Sequence, residues 1–112
     1  MMKRKYRVLK NNEFNTIINE GALLRTETAS IYYLPNELNH LRVGIALSSK
    51  LANAVGRNKT KRQVRAIIRN NIPFKMPLDV ILVVKKSFLV KSFEENEQIL
   101  KTAMSKLGDK YE

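Results

Sequence analysis

One stretch limits the fold more than any other. Residues 78–84, Leu-Asp-Val-Ile-Leu-Val-Val, follow Pro77 and are apolar and mostly β-branched after Asp79. A run of this length and type reads as a buried strand, because a strand wet on one face alternates apolar and polar residues. Two other segments do alternate. Residues 23–34 read as a strand with Ala29, Ile31 and Tyr33 on one face and Thr28, Ser30 and Tyr32 on the other. Pro35-Asn36 marks a turn. Residues 40–48 read as the next strand, with Leu41, Val43, Ile45 and Leu47 alternating against Arg42, Gly44, Ala46 and Ser48. These two strands are expected to form an antiparallel pair.

Helices interleave with the strands. Asn11 and Asn12 are N-cap types, Phe14, Ile17 and Ile18 follow at helical spacing, and Gly21 fits a stop, which gives a helix at 12–20. Residues 53–71 read as a second helix. Ile72-Pro73 ends it, since the residue before proline is pushed out of the α region. Ser92-x-x-Glu95 is a capping box, followed by the stripe Leu100, Ala103, Met104 and Leu107, with Gly108 as a stop. The order is α-β-β-α-β-α, with an extra short strand allowed. A length of 112 residues permits one core. The expected fold class is therefore α+β: a single-domain α-β sandwich over residues 1–112, helices packed on one sheet, opened by a flexible basic arm at 1–10.

Charge then narrows the function. Twenty-one Lys and Arg against 10 Asp and Glu give a formal net charge of +11. The arm holds Lys3, Arg4, Lys5, Arg7 and Lys10. Between Glu37 and Asp79 there is no acid, while Arg42, Lys50, Arg57, Lys59, Lys61, Arg62, Arg65, Arg69 and Lys75 fall inside that interval. Clustering of one sign makes a field with a direction and predicts a polyanionic partner. The absence of Cys excludes disulfides and thiolate metal sites. No apolar run approaches the roughly 20 residues of a membrane span, and no apolar signal core follows the basic start. A cytoplasmic protein without a membrane partner is expected.

At about 100° per residue, Val64, Ile67 and Ile68 share one side of the 53–71 helix. Arg57, Lys61, Arg65 and Arg69 form an i, i+4 ladder beside them, and Arg62 extends it. Like charges at that spacing destabilise a helix by a few tenths of a kcal/mol per pair. A phosphate backbone would neutralise them, and the Arg fork suits phosphate.

The segment from Lys50 to Arg65 resembles the signature of the bacterial ribonuclease P protein subunit. Asn53-Ala54-Val55, Arg57-Asn58, Lys61-Arg62 and Arg65 match its motif. Lys59 stands where Arg is usual, and Ala52 where Gly is common. Leu41-Arg42-Val43-Gly44-Ile45, the early Phe14 helix and Asp79 at the head of an apolar strand also agree, so the resemblance covers nearly the whole chain. It implies a fold similar to the second domain of ribosomal protein S5, with a left-handed β-α-β crossover that sequence rules would not favour. It implies a bacterial ribonucleoprotein in which a catalytic RNA removes the 5′ leader from precursor tRNA and the protein assists by binding. Lys50, Asn53, Arg57, Asn58, Lys59, Lys61, Arg62, Arg65 and Arg69 would face the RNA subunit. Mg²⁺ would be required by the RNA-based holoenzyme, with no metal site assigned to the protein.

The resemblance also implies a cleft for the single-stranded leader between the first helix and the sheet. Phe14 and Tyr32 match two aromatic cleft positions, and Ile18 stands at a third that is often aromatic. Tyr32 qualifies independently, since it lies on the polar Thr28/Ser30 face, where an aromatic ring is a stacking platform. Ala46 and Ser48 are small and would leave room for RNA. No protein catalytic residue stands out. His40 falls in a turn, and Glu94-Glu95 sit at a helix start as capping and dipole partners. The alternative is a structural ribosomal-type RNA-binding protein, which does not account for the Arg57-Asn58…Lys61-Arg62 spacing. A DNA-binding helix-turn-helix factor would need a helix where residues 40–48 alternate as a strand, so no DNA partner is expected. A protein-only nuclease would need converging carboxylates or histidines.

Overall fold

The computed structural model describes residues 6–8, 10–48, 50–71 and 75–111. In chain order its elements are α1 (Asn11–Glu20), β1 (Ala22–Arg25), β2 (Ala29–Pro35), β3 (Arg42–Ala46), α2 (Ala54–Asn71), β4 (Leu78–Val84), α3 (Lys86–Val90) and α4 (Phe93–Tyr111). The apolar run is β4, and it lies inside a four-stranded sheet of order β1-β2-β4-β3. It pairs antiparallel with β2, from Ala29↔Val84 to Pro35↔Leu78, and parallel with β3, from Arg42↔Asp79 to Ala46↔Val83. The expected antiparallel pairing of β2 with β3 is thus overturned. β4 is apolar on both faces, so burial favours it in the centre, and β3 moves to the outside. A parallel β3–β4 pair needs a crossover, and α2 supplies it.

The segment 23–34 divides into a hairpin, Ala22↔Tyr33 to Arg25↔Ser30. Thr26 makes the turn: its hydroxyl donates to Ala29 O at 2.8 Å and accepts from Ala29 N–H at 2.9 Å. This hairpin supplies the extra short strand that the sequence allowed.

The sheet faces are covered unequally. On one, Ala29, Ile31, Val43, Val80, Leu82 and Val84 pack under Val64, Ile67 and Ile68 of α2 and Leu100, Ala103, Met104 and Leu107 of α4. On the other, Ile81, Ile17 and Val8 form a small buried cluster, with Phe14, Tyr32, Leu34, Ala46 and Val83 only partly covered.

Several ends differ from expectation. α1 begins at Asn11 after an extended Lys10 that makes no side-chain cap, and Asn12 Oδ1 accepts only from the next N–H, Glu13, at 3.0 Å. α4 runs through Gly108, which is buried, to Tyr111. α3 carries no capping signal and was not anticipated; it is anchored by the buried Phe88. The Ser92/Glu95 capping box forms reciprocally, at 3.2 Å each way, and its bonds hold the Glu95 carboxyl below the usual range. Ile72 and Pro73 lie outside the described residues. So do Lys3, Arg4 and Lys5 of the arm. The described part of the arm is docked: Arg7 bridges Val43 in parallel, and Val8 N–H donates to Val43 O at 3.0 Å. The outer edge of β3 offers unpaired backbone groups, and the arm takes them up.

Gly21 joins α1 to β1 through close approach, with φ −77° and no need of the left-handed region. A Cβ there would stand 2.4 Å from Ile17 O and 2.7 Å from Tyr33 O. Both are backbone atoms that cannot swing aside. Gly21→Ala is expected to cost about 1–3 kcal/mol, as overpacking does, read by urea or thermal unfolding.

Candidate RNA interface

The basic helix is held by its inner stripe and a cap. Asn53 Oδ1 accepts from Gly56 N–H at 2.9 Å, and Asn53 O accepts from Arg57 N–H at 2.9 Å. Thr60, Val64, Ile67 and Ile68 are buried, and the Thr60 hydroxyl is satisfied by Gly56 O at 2.9 Å. The opposite side is cationic. Asn58, Lys61, Arg62, Arg65, Ala66 and Arg69 line one open groove of about 620 Å³. Their spacing of three and four residues puts them on one helix face. Lys59, Lys61, Arg62, Arg65 and Arg69 have no ion-pair partner among the described residues.

The structure redraws the ladder read from the sequence. Arg57 does not line the groove; its Nη1 donates back to Ala52 O at 2.8 Å. Asn53 serves as the helix cap, and Lys59 lies on the flank outside the groove. Lys50 is exposed in the turn before the helix, where its N–H donates to Ser48 Oγ at 3.2 Å. Ser48 therefore belongs to that turn and not to the sheet floor, since β3 ends at Ala46.

The sparsely covered sheet face runs beside α1. Tyr32 lies between Leu23 of β1 and Ile81 of β4, and Gly44 of β3 follows across Ile81. Ala46 pairs with Val83 in the next row. Phe14 and Tyr32 are partly buried, and Ile18 of α1 is 36% exposed. Phe14 rests on Gly44: a Cβ there would meet its Cζ at 2.5 Å and Ile81 Cδ1 at 2.7 Å. Sequence reading missed Gly44 and Leu23. Gly44 stood in the alternation opposite Val43 and Ile45, and only the ring above it explains its size.

At one end of this face Arg42 is enclosed. Its Nε donates to Asp79 Oδ1 at 2.9 Å, its Nη2 to Asp79 Oδ2 at 2.7 Å, and its Nη1 to Glu13 Oε2 at 2.9 Å. The bonds to Asp79, then to Glu13, raise the guanidinium pKa above its usual value against the opposing effect of burial. Asn36 Nδ2 donates to Asp79 Oδ1 at 2.8 Å and to His40 O at 3.1 Å. Arg42, one cation of the acid-free stretch, is thus internal. Among the described residues no three His, Asp or Glu side chains gather as donors for a metal ion, and no helix is long and apolar enough to cross a membrane.

Sheet order, cationic helix and open face together define a small basic α+β protein with a cationic helix face and a sheet face that α1 only partly covers. The chain belongs to the ribonuclease P family, whose model matches residues 2–108. It is 36% identical to the ribonuclease P protein component of Mesoplasma florum, covering 88% of this chain and 92% of that one. It is 43% identical to that of Mycoplasma mycoides subsp. mycoides SC, covering 79% and 83%. Among solved structures, a Staphylococcus aureus RNase P protein mutant with defective mRNA degradation activity superposes with a TM-score of 0.84 at 27% identity, covering 94% of this chain and 90% of that one. The RNase P protein from Thermotoga maritima does so at 0.81 and 27%, covering 89% and 96%.

The cap assignment is testable apart from RNA. Asn53→Ala is expected to lower stability by about 1 kcal/mol and Asn53→Ser by much less, measured by chemical unfolding of the free protein.

Proposed function

We propose that this tRNA 5′-processing subunit works by binding alone: α2 seats on the catalytic RNA, the cleft beside α1 receives the 5′ leader of precursor tRNA, and the RNA performs the hydrolysis. The observation that carries this reading is the groove on α2, a row of cations without carboxylate partners on a helix without acids. Phosphates remove the like-charge repulsion that the free helix bears, and the Arg forks can meet them at two points. The cleft has a different chemistry, with the partly exposed Phe14, Tyr32 and Ala46 offering ring and small apolar surface to unstacked bases. Hydrolysis by the RNA draws on Mg²⁺ to activate water and steady the leaving oxygen. No three His, Asp or Glu side chains gather among the described residues, which supports placing that ion on the RNA. The protein contributes positive charge that lowers repulsion between RNA and substrate. The family match decides against the structural ribosomal reading, which shares charge, size and fold.

Reconstitution with a bacterial ribonuclease P RNA tests this. Cleavage of precursor tRNA at low Mg²⁺ should need both components, and efficient cleavage by the RNA-free protein would sink the division of labour. Replacing Arg62, Arg65 and Arg69 with Ala should weaken assembly and flatten its salt dependence by about one slope unit per lost phosphate contact. Tyr32→Ala should instead weaken leader binding by about 1–3 kcal/mol, the range for one stacked base, and leave assembly with the RNA unchanged.

A further inference from the structure

The enclosed arginine donates three side-chain hydrogen bonds on the cleft face, and the binding surfaces above do not use it. Its surroundings argue against a direct RNA contact. Glu13 and Asp79 share the one cation, so the Arg42 guanidinium has no unpaired charge to offer a phosphate. The Arg42 side chain is 19% exposed, and each of its nitrogens is already committed to a carboxylate.

The same bonds bear on α1. Of its ten residues only Ile17 is fully buried. Phe14 adds a contact on Gly44. Two apolar contacts one turn apart leave a helix free to pivot about the line joining them, because apolar burial is non-directional. A charge-assisted hydrogen bond from a clamped guanidinium is directional. Asp79 grips Arg42 at two points, and Asn36 holds Asp79 in turn. Nη1 is thereby aimed at Glu13, the residue before Phe14. Fixing Glu13 fixes the ring over Gly44 and the roll of α1 on the sheet.

We propose that Arg42, acting through Glu13, is a positioning residue for the leader cleft: it sets the roll of α1 on the sheet and hence the opening between Ile18 and Tyr32 that admits an unpaired nucleotide. The inference rests on the cleft reading given above, and it makes no demand on the α2 surface.

Glu13 is the better residue to change, since the Arg42–Asp79 clamp then survives. Glu13→Ala, Glu13→Gln and Tyr32→Ala proteins would each be assembled with the catalytic RNA. Affinities for precursor tRNA and for mature tRNA would be measured alongside Tm. Glu13→Ala should reduce the precursor-to-mature affinity ratio roughly tenfold with mature tRNA binding unchanged. Glu13→Gln should keep most of the ratio, because its amide oxygen still accepts from Arg42 Nη1. A ratio untouched by Glu13→Ala but lost in Tyr32→Ala overturns the positioning role, whatever happens to Tm. Equal losses for precursor and mature tRNA overturn it too, since they mark general damage. A ratio untouched in all three variants overturns the cleft reading itself.

Discussion

Burial of β4 on both faces is the constraint from which the rest of this structure follows. Six of its seven residues are buried and only Val83 is partly exposed. Each large aliphatic side chain fully buried there contributes about 1.5–3 kcal/mol, a contribution available only if both faces are covered. A strand with that requirement takes the interior of the sheet and bonds along both edges. β2 reaches one edge by a return of the chain, and β3 reaches the other only in parallel, which demands a crossover helix. The cationic helix is that crossover. Its inner stripe of Val64, Ile67 and Ile68 is fixed by the core, so its outer face is presented to solvent as a rigid row.

That row is tolerated because the helix is held from elsewhere. Cations at i, i+3 and i, i+4 without acids oppose helix formation by a few tenths of a kcal/mol per pair. Three buried aliphatics, the Asn53 cap and the satisfied Thr60 hydroxyl outweigh that. Arg42 comes from the same acid-free stretch and has the opposite fate, because two carboxylates from distant parts of the chain enclose it. Local sequence charge therefore does not separate a binding cation from a structural one. The partner does.

The same distinction explains what could be read in advance. The inner stripe of α2 and the interior character of β4 are local patterns that match the structure, and β3 divides as read, Val43 and Ile45 toward the larger core and Ala46 toward the smaller cluster, though its burial does not alternate because Phe14 covers Gly44. Strand order is not local: nothing near residues 23–48 says that β4 will enter between β2 and β3. The break at Thr26 was hidden because a Thr turn carries no Gly or Pro. Ser48 was misplaced by following alternation past the strand end. The cationic surface was legible as residue types at helical spacing, but its centre was not. Arg57 turns back to Ala52 O, and the groove lies around Arg62, Arg65 and Arg69. Arg42 was opaque because Glu13 is 29 positions and Asp79 37 positions away.

The two sheet faces differ in cover, and the proposed division of binding follows that difference. α2 and α4 seal one face, whereas among the described residues the other has only the ten-residue α1 and one arm residue, Val8, in its core. Tyr32, Leu34, Ala46 and Val83 stay partly wet as a result. Each Å² of apolar surface left so forgoes about 25 cal/mol of burial. A more complete lid would recover that energy and close the cleft. On the proposed reading, an unstacked base laid on Tyr32 would recover part of it, with little regard to which base it is, since every base has a π-face. Selectivity for a single strand would then need no sequence code: a duplex keeps its bases stacked on one another and has none to offer such a face.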